Sequence, residues 1–180
     1  ASVLGRKVIV MGTSTGGTLA LKLAADFPDK VAALILLSPN VEINNSAAFL
    51  LSGPWGLQIA RLSGGTGKHR VLEIEHPVDE SFWYSTYRWE GTVFLQQLVK
   101  ATMTKDVFQQ VRQPLFLGYY YKNETQQDDV VRVDAAIRMF EEVGTPSHAK
   151  VKVAFPNAGD HVIGNEVKSG SVDELRKAVI

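Results

Sequence analysis

The order of apolar and polar positions predicts strands that alternate with helices. Residues 7–11 and residues 31–37 are apolar runs without alternation, rich in β-branched or aliphatic side chains. Such short runs are typical of parallel strands buried on both faces. Between them, over residues 17–27, apolar positions recur at spacings of three and four, which favours a helix that ends before Pro28. These segments predict one β-α-β unit.

The C-terminal part of the chain continues the alternation. Residues 113–121 predict a third strand, residues 133–143 a helix that Gly144 caps, and residues 149–155 a last strand. The last strand alternates apolar and polar residues, as an edge strand with one wetter side does. Residues 170–180 begin a closing helix. The predicted fold class is therefore α/β, a parallel sheet of about four strands with flanking helices.

Residues 40–112 interrupt this pattern. Strand signals disappear there and apolar spacings of three and four replace them, most clearly over 54–62 and 90–102. We interpret residues 40–112 as a helical insertion, and an insertion of this size between adjacent strands usually forms a lid over a binding site. Among its aromatic side chains, Trp55 and Trp83 are candidates for substrate binding, although packing of the insertion is the simpler role for any one of them.

Composition limits the classes of function. The chain has 180 residues, 45% of them hydrophobic, which suits a single domain over residues 1–180. Nineteen basic and nineteen acidic residues cancel, so no basic field favours nucleic acid and we expect a small, uncharged partner. The lack of cysteine excludes thiol catalysis, disulfides and thiolate metal sites. No apolar run approaches the ~20 residues that a membrane span needs, and the compartment stays open, with the cytoplasm as the default.

The candidate chemistry begins at the end of the first strand. Gly12, Ser14 and Gly16 form a Gly-x-Ser-x-Gly pattern between that strand and the following helix. A sharp strand-to-helix turn exposes the side chain at its apex, and flanking glycines remove Cβ atoms that would collide there. A nucleophilic serine needs this geometry, whereas an ordinary glycine-rich turn is the alternative interpretation.

In its setting, this run resembles the nucleophile elbow of the α/β-hydrolase family, in particular of bacterial carboxylesterases and lipases. The resemblance covers nearly the whole chain but only the second half of that fold. It implies that the N-terminal strands are lacking, and we expect a preceding segment of about 100 residues. Without those N-terminal strands, the first strand would be an exposed apolar edge. The preceding segment, a second chain or a second copy in a homodimer could cover this edge. An export signal or anchor could also lie in that missing part.

The resemblance also implies the other catalytic residues. The family keeps its triad acid in the loop after the third strand here, often as Asp-x-Val-Val, which matches Asp128 better than the adjacent Asp129. It keeps the general base beyond the final strand, which here is His161. The chain order Ser14, Asp128, His161 is that of the hydrolase fold. The backbone N–H of Thr15 would be one oxyanion donor, and the second would lie in the missing N-terminal part.

These residues predict a serine hydrolase that cleaves a small-molecule carboxylic ester through an acyl-enzyme on Ser14, with no cofactor. A metal site is not expected, because Asp160 beside His161 has no third ligand at a suitable spacing. The alternative is a hydrolase-like domain that binds a ligand without turnover, or an inert fragment.

Overall fold

A computed structural model describes residues 5–46, 48–63, 69–71 and 84–179. The chain forms two compact units, of which unit 1 comprises residues 1–44 and 102–180 and unit 2 comprises residues 45–101. The helices and strands, in chain order, are β1 (Val8–Thr13), α1 (Thr15–Asp26), β2 (Val31–Leu37), α2 (Gly56–Ser63), β3 (His69–Val71), β4 (Thr86–Arg88), α3 (Trp89–Thr102), α4 (Lys105–Gln110), β5 (Leu115–Tyr119), β6 (Tyr121–Asn123), β7 (Gln126–Gln127), α5 (Val133–Glu142), β8 (Lys150–Ala154) and α6 (Val172–Val179).

Unit 1 is built on a four-stranded sheet in the order β1-β2-β5-β8, with every neighbouring pair parallel. Side chains of β2 alternate between two hydrophobic cores: Leu34 and Leu36 belong to one, and Leu37 to the other. The first core also takes residues of α1 and α5, and the second takes Leu175 of α6. A sheet with cores on both faces requires the unbroken apolar strands that the sequence shows. The predicted α/β class and the four-stranded parallel sheet are thus confirmed.

Strand β1 is the exposed apolar edge that we expect from the sequence for a sheet without preceding strands, and it is not buried on both faces as its apolar run alone suggests. It pairs only with β2 and so lies at one edge of the sheet. Its side chains Ile9 and Met11 are 66% and 58% exposed. The apolar pattern correctly predicted a strand here. It could not predict that the face with Ile9 and Met11 is exposed among the described residues, because burial of that face depends on residues distant in sequence.

Unit 2 contains two elements that the sequence did not predict. Strands β3 and β4 form an antiparallel pair, whereas only helices were expected within residues 40–112. Three-residue strands are too short to leave a recognisable period-two pattern, which explains the omission. Around helices α2 and α3 a small core contains Ala60, Trp89 and Val93. The assignment of residues 40–112 as a lid stays a prediction.

None of the helices in the described parts of the chain combines the length and the apolarity that a bilayer crossing demands.

Helix α1 allows a matched test of the first core. Leu21 is fully buried, while Leu19 on the same helix is 47% exposed. We expect Leu21→Ala to lower the free energy of unfolding by about 2–5 kcal/mol, because it removes apolar contacts and leaves a cavity. Leu19→Ala should cost less than about 1 kcal/mol. Urea unfolding of both variants measures the difference, and equal losses would contradict this assignment of the buried face.

Candidate active site

Ser14 lies between β1 and α1 in a conformation that L residues rarely adopt. Its φ is 53° and its ψ is −122°. A serine before a helix is usually an N-cap with extended backbone whose hydroxyl accepts a bond from the first turn. Ser14 makes no such side-chain bond. Its hydroxyl is therefore not used to cap α1, and its strained backbone is of the kind that concentrates at functional sites.

Glycines on either side of Ser14 permit this turn, though not symmetrically. A Cβ on Gly12 would lie 2.4 Å from the carbonyl carbon and oxygen of Gly16, and a Cβ on Gly17 would lie 2.6 Å from Cβ of Pro39. A Cβ on Gly16 would meet nothing within 4 Å. The sequence expectation that glycines two residues either side both prevent collisions is therefore right for Gly12 and wrong for Gly16, where Gly17 is the close one.

The segment after β2 holds the elbow through the main chain. The N–H of Ser14 donates to the Leu37 carbonyl at 3.1 Å, and the N–H of Asn40 donates to the Ser14 carbonyl at 2.9 Å. The Thr18 hydroxyl donates to the Asn40 carbonyl at 2.6 Å. The N–H and the carbonyl of Ser14 are thus both hydrogen-bonded, which offsets the strain of its positive φ.

Asp128 is almost fully buried and well supplied with donors. Its N–H donates to the Tyr120 carbonyl at 3.2 Å, which ties it to the end of β5. Its Oδ1 accepts from the N–H groups of Val130 and Val131, both at 3.0 Å. The adjacent Asp129 is exposed. A buried carboxylate must be hydrogen-bonded, and these donors meet that need.

His161 lies in the loop after β8. Its Nδ1 is 2.7 Å from Oδ2 of Asp128. Next to it, Oδ1 of Asp160 accepts from the Val162 N–H at 2.7 Å, a local turn that shapes the loop. Two residues on, Ile163 is fully buried in the second core and anchors the loop. His161 Nε2 is also buried and has no hydrogen-bond partner within the described residues.

The structure therefore joins Asp128 to His161 and selects Asp128 over Asp129 as the partner of the imidazole. Ser14, Asp128 and His161 follow β1, β5 and β8, and carboxyl ends of parallel strands lie at the same edge of a sheet. No hydrogen bond between Ser14 and His161 is present in the described part of the chain. Thr15 opens α1, so the helix itself provides no acceptor for its N–H.

The remaining site predictions have different outcomes. Trp55 belongs to unit 2 and its side chain is 68% exposed, so its part in substrate binding stays a prediction. Trp83 lies outside the described residues. Among the side chains that the structure describes, no group of three or more His, Asp or Glu residues could hold a metal ion.

Sequence reasoning gave Ser38 and Asn40 no role in the site beyond the turn that closes the β-α-β unit. Ser38 follows β2, is 1% exposed, and is the second non-glycine residue with positive φ, at 43°. Its Oγ and the Oδ1 of Asn40 are buried without hydrogen-bond partners among the described residues. The Ser-Pro turn in the sequence was the available signal, since a serine before proline after a buried strand indicates a tight turn.

Comparisons with known proteins agree with this architecture. A family model described as alpha/beta hydrolase fold matches residues 3–129. A segment of 39 residues is 54% identical to lipase LipV of Mycobacterium tuberculosis, and it covers 22% of this chain and 15% of that lipase.

Two of the similar solved structures illustrate a match over almost the whole chain. The monoacylglycerol lipase of Paleococcus ferrophilus has a TM-score of 0.71 at 16% identity, over 99% of this chain and 68% of that one. A structure from work on LipS and LipT, two metagenome-derived lipolytic enzymes, has a TM-score of 0.69 at 12% identity. It is matched over 96% of this chain, which spans 63% of its length. Likenesses at such identities show a shared fold.

The asymmetry of the glycines gives a stability test of the elbow. Gly12→Ala should lower the free energy of unfolding by about 1–3 kcal/mol or more, because its methyl group collides with backbone that cannot move aside. Gly16→Ala adds a methyl group in open space at the start of α1 and should be neutral or slightly stabilising. Thermal and urea unfolding of the two variants should separate them, and a Gly16→Ala loss as large as that of Gly12→Ala would refute the interpretation.

Proposed function

The chain belongs to the alpha/beta hydrolase fold family, and we propose that it is a serine hydrolase that cleaves carboxylic esters with Ser14, His161 and Asp128 as its catalytic residues. The observation that carries the proposal is the 2.7 Å contact between His161 Nδ1 and Asp128 Oδ2. Both residues follow the carboxyl ends of parallel strands, as Ser14 does in its strained turn.

The contact determines which imidazole nitrogen can act as a base. The carboxylate of Asp128 is an acceptor, so the proton on that side of the ring lies on Nδ1 and Nε2 keeps its lone pair. Nε2 makes no hydrogen bond to any described residue, which leaves it available to accept a proton. Burial of Asp128 and its bonds to Val130 and Val131 keep the carboxylate in place for this role.

In the proposed reaction the Ser14 Oγ attacks the ester carbonyl carbon while His161 Nε2 accepts the hydroxyl proton. The carbonyl oxygen becomes an oxyanion, to which the Thr15 N–H donates. The tetrahedral intermediate collapses, the C–O bond to the alcohol breaks, and the alkoxide takes the proton from His161. Water then attacks the acyl-enzyme with His161 again as the base, which releases the carboxylic acid and restores Ser14.

The choice of esters as the substrate class is supported by the similar proteins. A lipase shares 54% identity with this chain over a short segment, and the similar structures include a monoacylglycerol lipase and lipolytic enzymes. Fold alone does not determine substrate. We therefore infer the ester class by analogy, the pair of Asp128 and His161 from their contact, and Ser14 from its strained turn and its place in the chain order.

Covalent labelling tests the nucleophile. A fluorophosphonate probe should modify the wild-type protein once, and mass spectrometry should locate the adduct on Ser14. Ser14→Ala should abolish labelling, whereas Ser147→Ala, which changes an exposed serine, should leave it unchanged. An intact, folded wild-type chain that is not labelled would count against the proposal and favour the alternatives, a binding domain without turnover or an inert fragment.

The two adjacent aspartates give a matched test of the acid. Asp128→Asn should reduce kcat for a p-nitrophenyl ester by about 10³–10⁴-fold, because an amide can hold His161 in the unproductive tautomer. Asp129→Asn, on an exposed side chain, should leave kcat within about twofold. Similar losses from both substitutions, in variants with wild-type circular dichroism, would argue against a catalytic pair of Asp128 and His161.

A further inference from the structure

One short segment contacts both the elbow and the turn that carries Asp128. Residues 38–44, here called the strap, follow β2. At one end, the N–H of Asn40 donates to the Ser14 carbonyl at 2.9 Å. At the other end, the N–H of Asn44 donates to the Val130 carbonyl at 3.0 Å. The strap thus connects through its main chain the two turns on which the proposed nucleophile and acid depend.

The contact at the far end of the strap is a small piece of antiparallel sheet. Ile43 and Val131 form an isolated antiparallel bridge, and the N–H of Arg132 donates to the Glu42 carbonyl at 2.9 Å. Two of the residues that the strap contacts here, Val130 and Val131, supply the N–H groups that bind Asp128 Oδ1. Displacement of this backbone would therefore displace the carboxylate that hydrogen-bonds to His161.

Side chains reinforce the same contact. Nη1 of Arg132 is 2.7 Å from Oε1 of Glu42, and the guanidinium also binds Asp134 at 2.9 and 2.5 Å. These hydrogen bonds from Arg132 are the main reason that the pKa of Asp134 lies below its ordinary range. Arg138 adds a longer bond of 3.3 Å to Glu42.

Stability alone does not account for this arrangement. The side chains of Arg132 and Glu42 are 41% and 43% exposed, and ion pairs at such positions contribute little to the free energy of folding. A planar guanidinium that binds two carboxylates does, however, restrict geometry, since its donors have fixed directions. The effect to look for is therefore on orientation.

We propose that Arg132 and Glu42 are positioning residues for the reaction: they clamp the strap to residues 130–132 and so hold Asp128 in register with His161. The inference rests on the proposed function. Neither side chain forms a hydrogen bond or an ion pair with Ser14 or His161 in the described structure, so we infer that each acts through the backbone that supplies donors to Asp128.

The kinetic test compares three variants. Arg132→Met removes the ion pair with Glu42 and should lower kcat about tenfold, because Asp128 then orients His161 less well. KM should stay within about twofold, since substrate binding is not affected. Arg132→Lys retains the charge but not the planar set of donors, so it should recover only part of the loss. The control is Lys152→Met, which removes an ion pair between β8 and Glu141 of α5 that does not involve the strap. It should keep kcat within about twofold.

A double variant examines whether the two residues act as one unit. Glu42→Gln combined with Arg132→Met should lower kcat by clearly less than the product of the two single losses, since both disrupt the ion pair between Arg132 and Glu42. Losses that multiply would overturn the inference. So would a kcat for Arg132→Met within twofold of the wild type, or a change confined to KM.

Amide hydrogen exchange separates this inference from the proposed function. Exchange at the N–H groups of Val130 and Val131 should accelerate about tenfold or more in Arg132→Met and stay unchanged in Lys152→Met. Unchanged exchange in Arg132→Met overturns the clamp whatever the activity. Accelerated exchange in a protein whose wild type cleaves no ester supports the clamp and counts against the proposed function alone.

Discussion

The arrangement around Ser14 depends on how closely three pieces of backbone approach one another. The end of β1, the first turn of α1 and the turn after β2 meet where a Cβ on Gly12 or Gly17 would collide. Only this approach lets the Asn40 N–H reach the Ser14 carbonyl and the Ser14 N–H reach Leu37. These bonds stabilise a serine at φ 53° that would otherwise be unfavourable. The direction of the candidate nucleophile is thus a consequence of glycine placement.

The parallel sheet supplies the second requirement, which is a common location for residues far apart in the chain. Asp128 and His161 are 33 positions apart, yet the loops after β5 and β8 bring them to 2.7 Å. Each loop carries a buried apolar residue: Val131 is 2% exposed, and Ile163 is fully buried in the second core. Hydrophobic burial on both faces of the sheet therefore does more than stabilise the fold, because it determines where polar groups can meet.

Buried polar atoms without partners lie near this location. His161 Nε2, Ser38 Oγ and Asn40 Oδ1 are all buried and make no hydrogen bond to the described residues. Leaving such atoms unsatisfied costs free energy, of order 1–3 kcal/mol for each neutral group. Proteins tolerate local departures of this kind mainly where function requires them. Two of the three atoms belong to the strap, which also carries the contacts to the Asp128 turn.

The sequence by itself determined what depends on neighbours along the chain: the alternation of strands and helices, the turn at Ser14, and the order of Ser14, Asp128 and His161. The alternation and the turn follow from apolar spacing and from residues such as glycine whose backbone freedom is local. Asp128 and His161 came from the resemblance to the family's motifs. The family pattern favoured Asp128 over Asp129, and only the tertiary structure shows that Asp128 is the buried acid bonded to His161 while Asp129 is exposed.

Tertiary contacts also decided that Gly17 rather than Gly16 is close-packed, that Ile9 and Met11 of β1 are exposed, and that β3 pairs with β4. The physical reason is the same for all of these features. Each depends on which distant backbone lies within a few ångströms of the residue, and no periodicity along the chain encodes that distance.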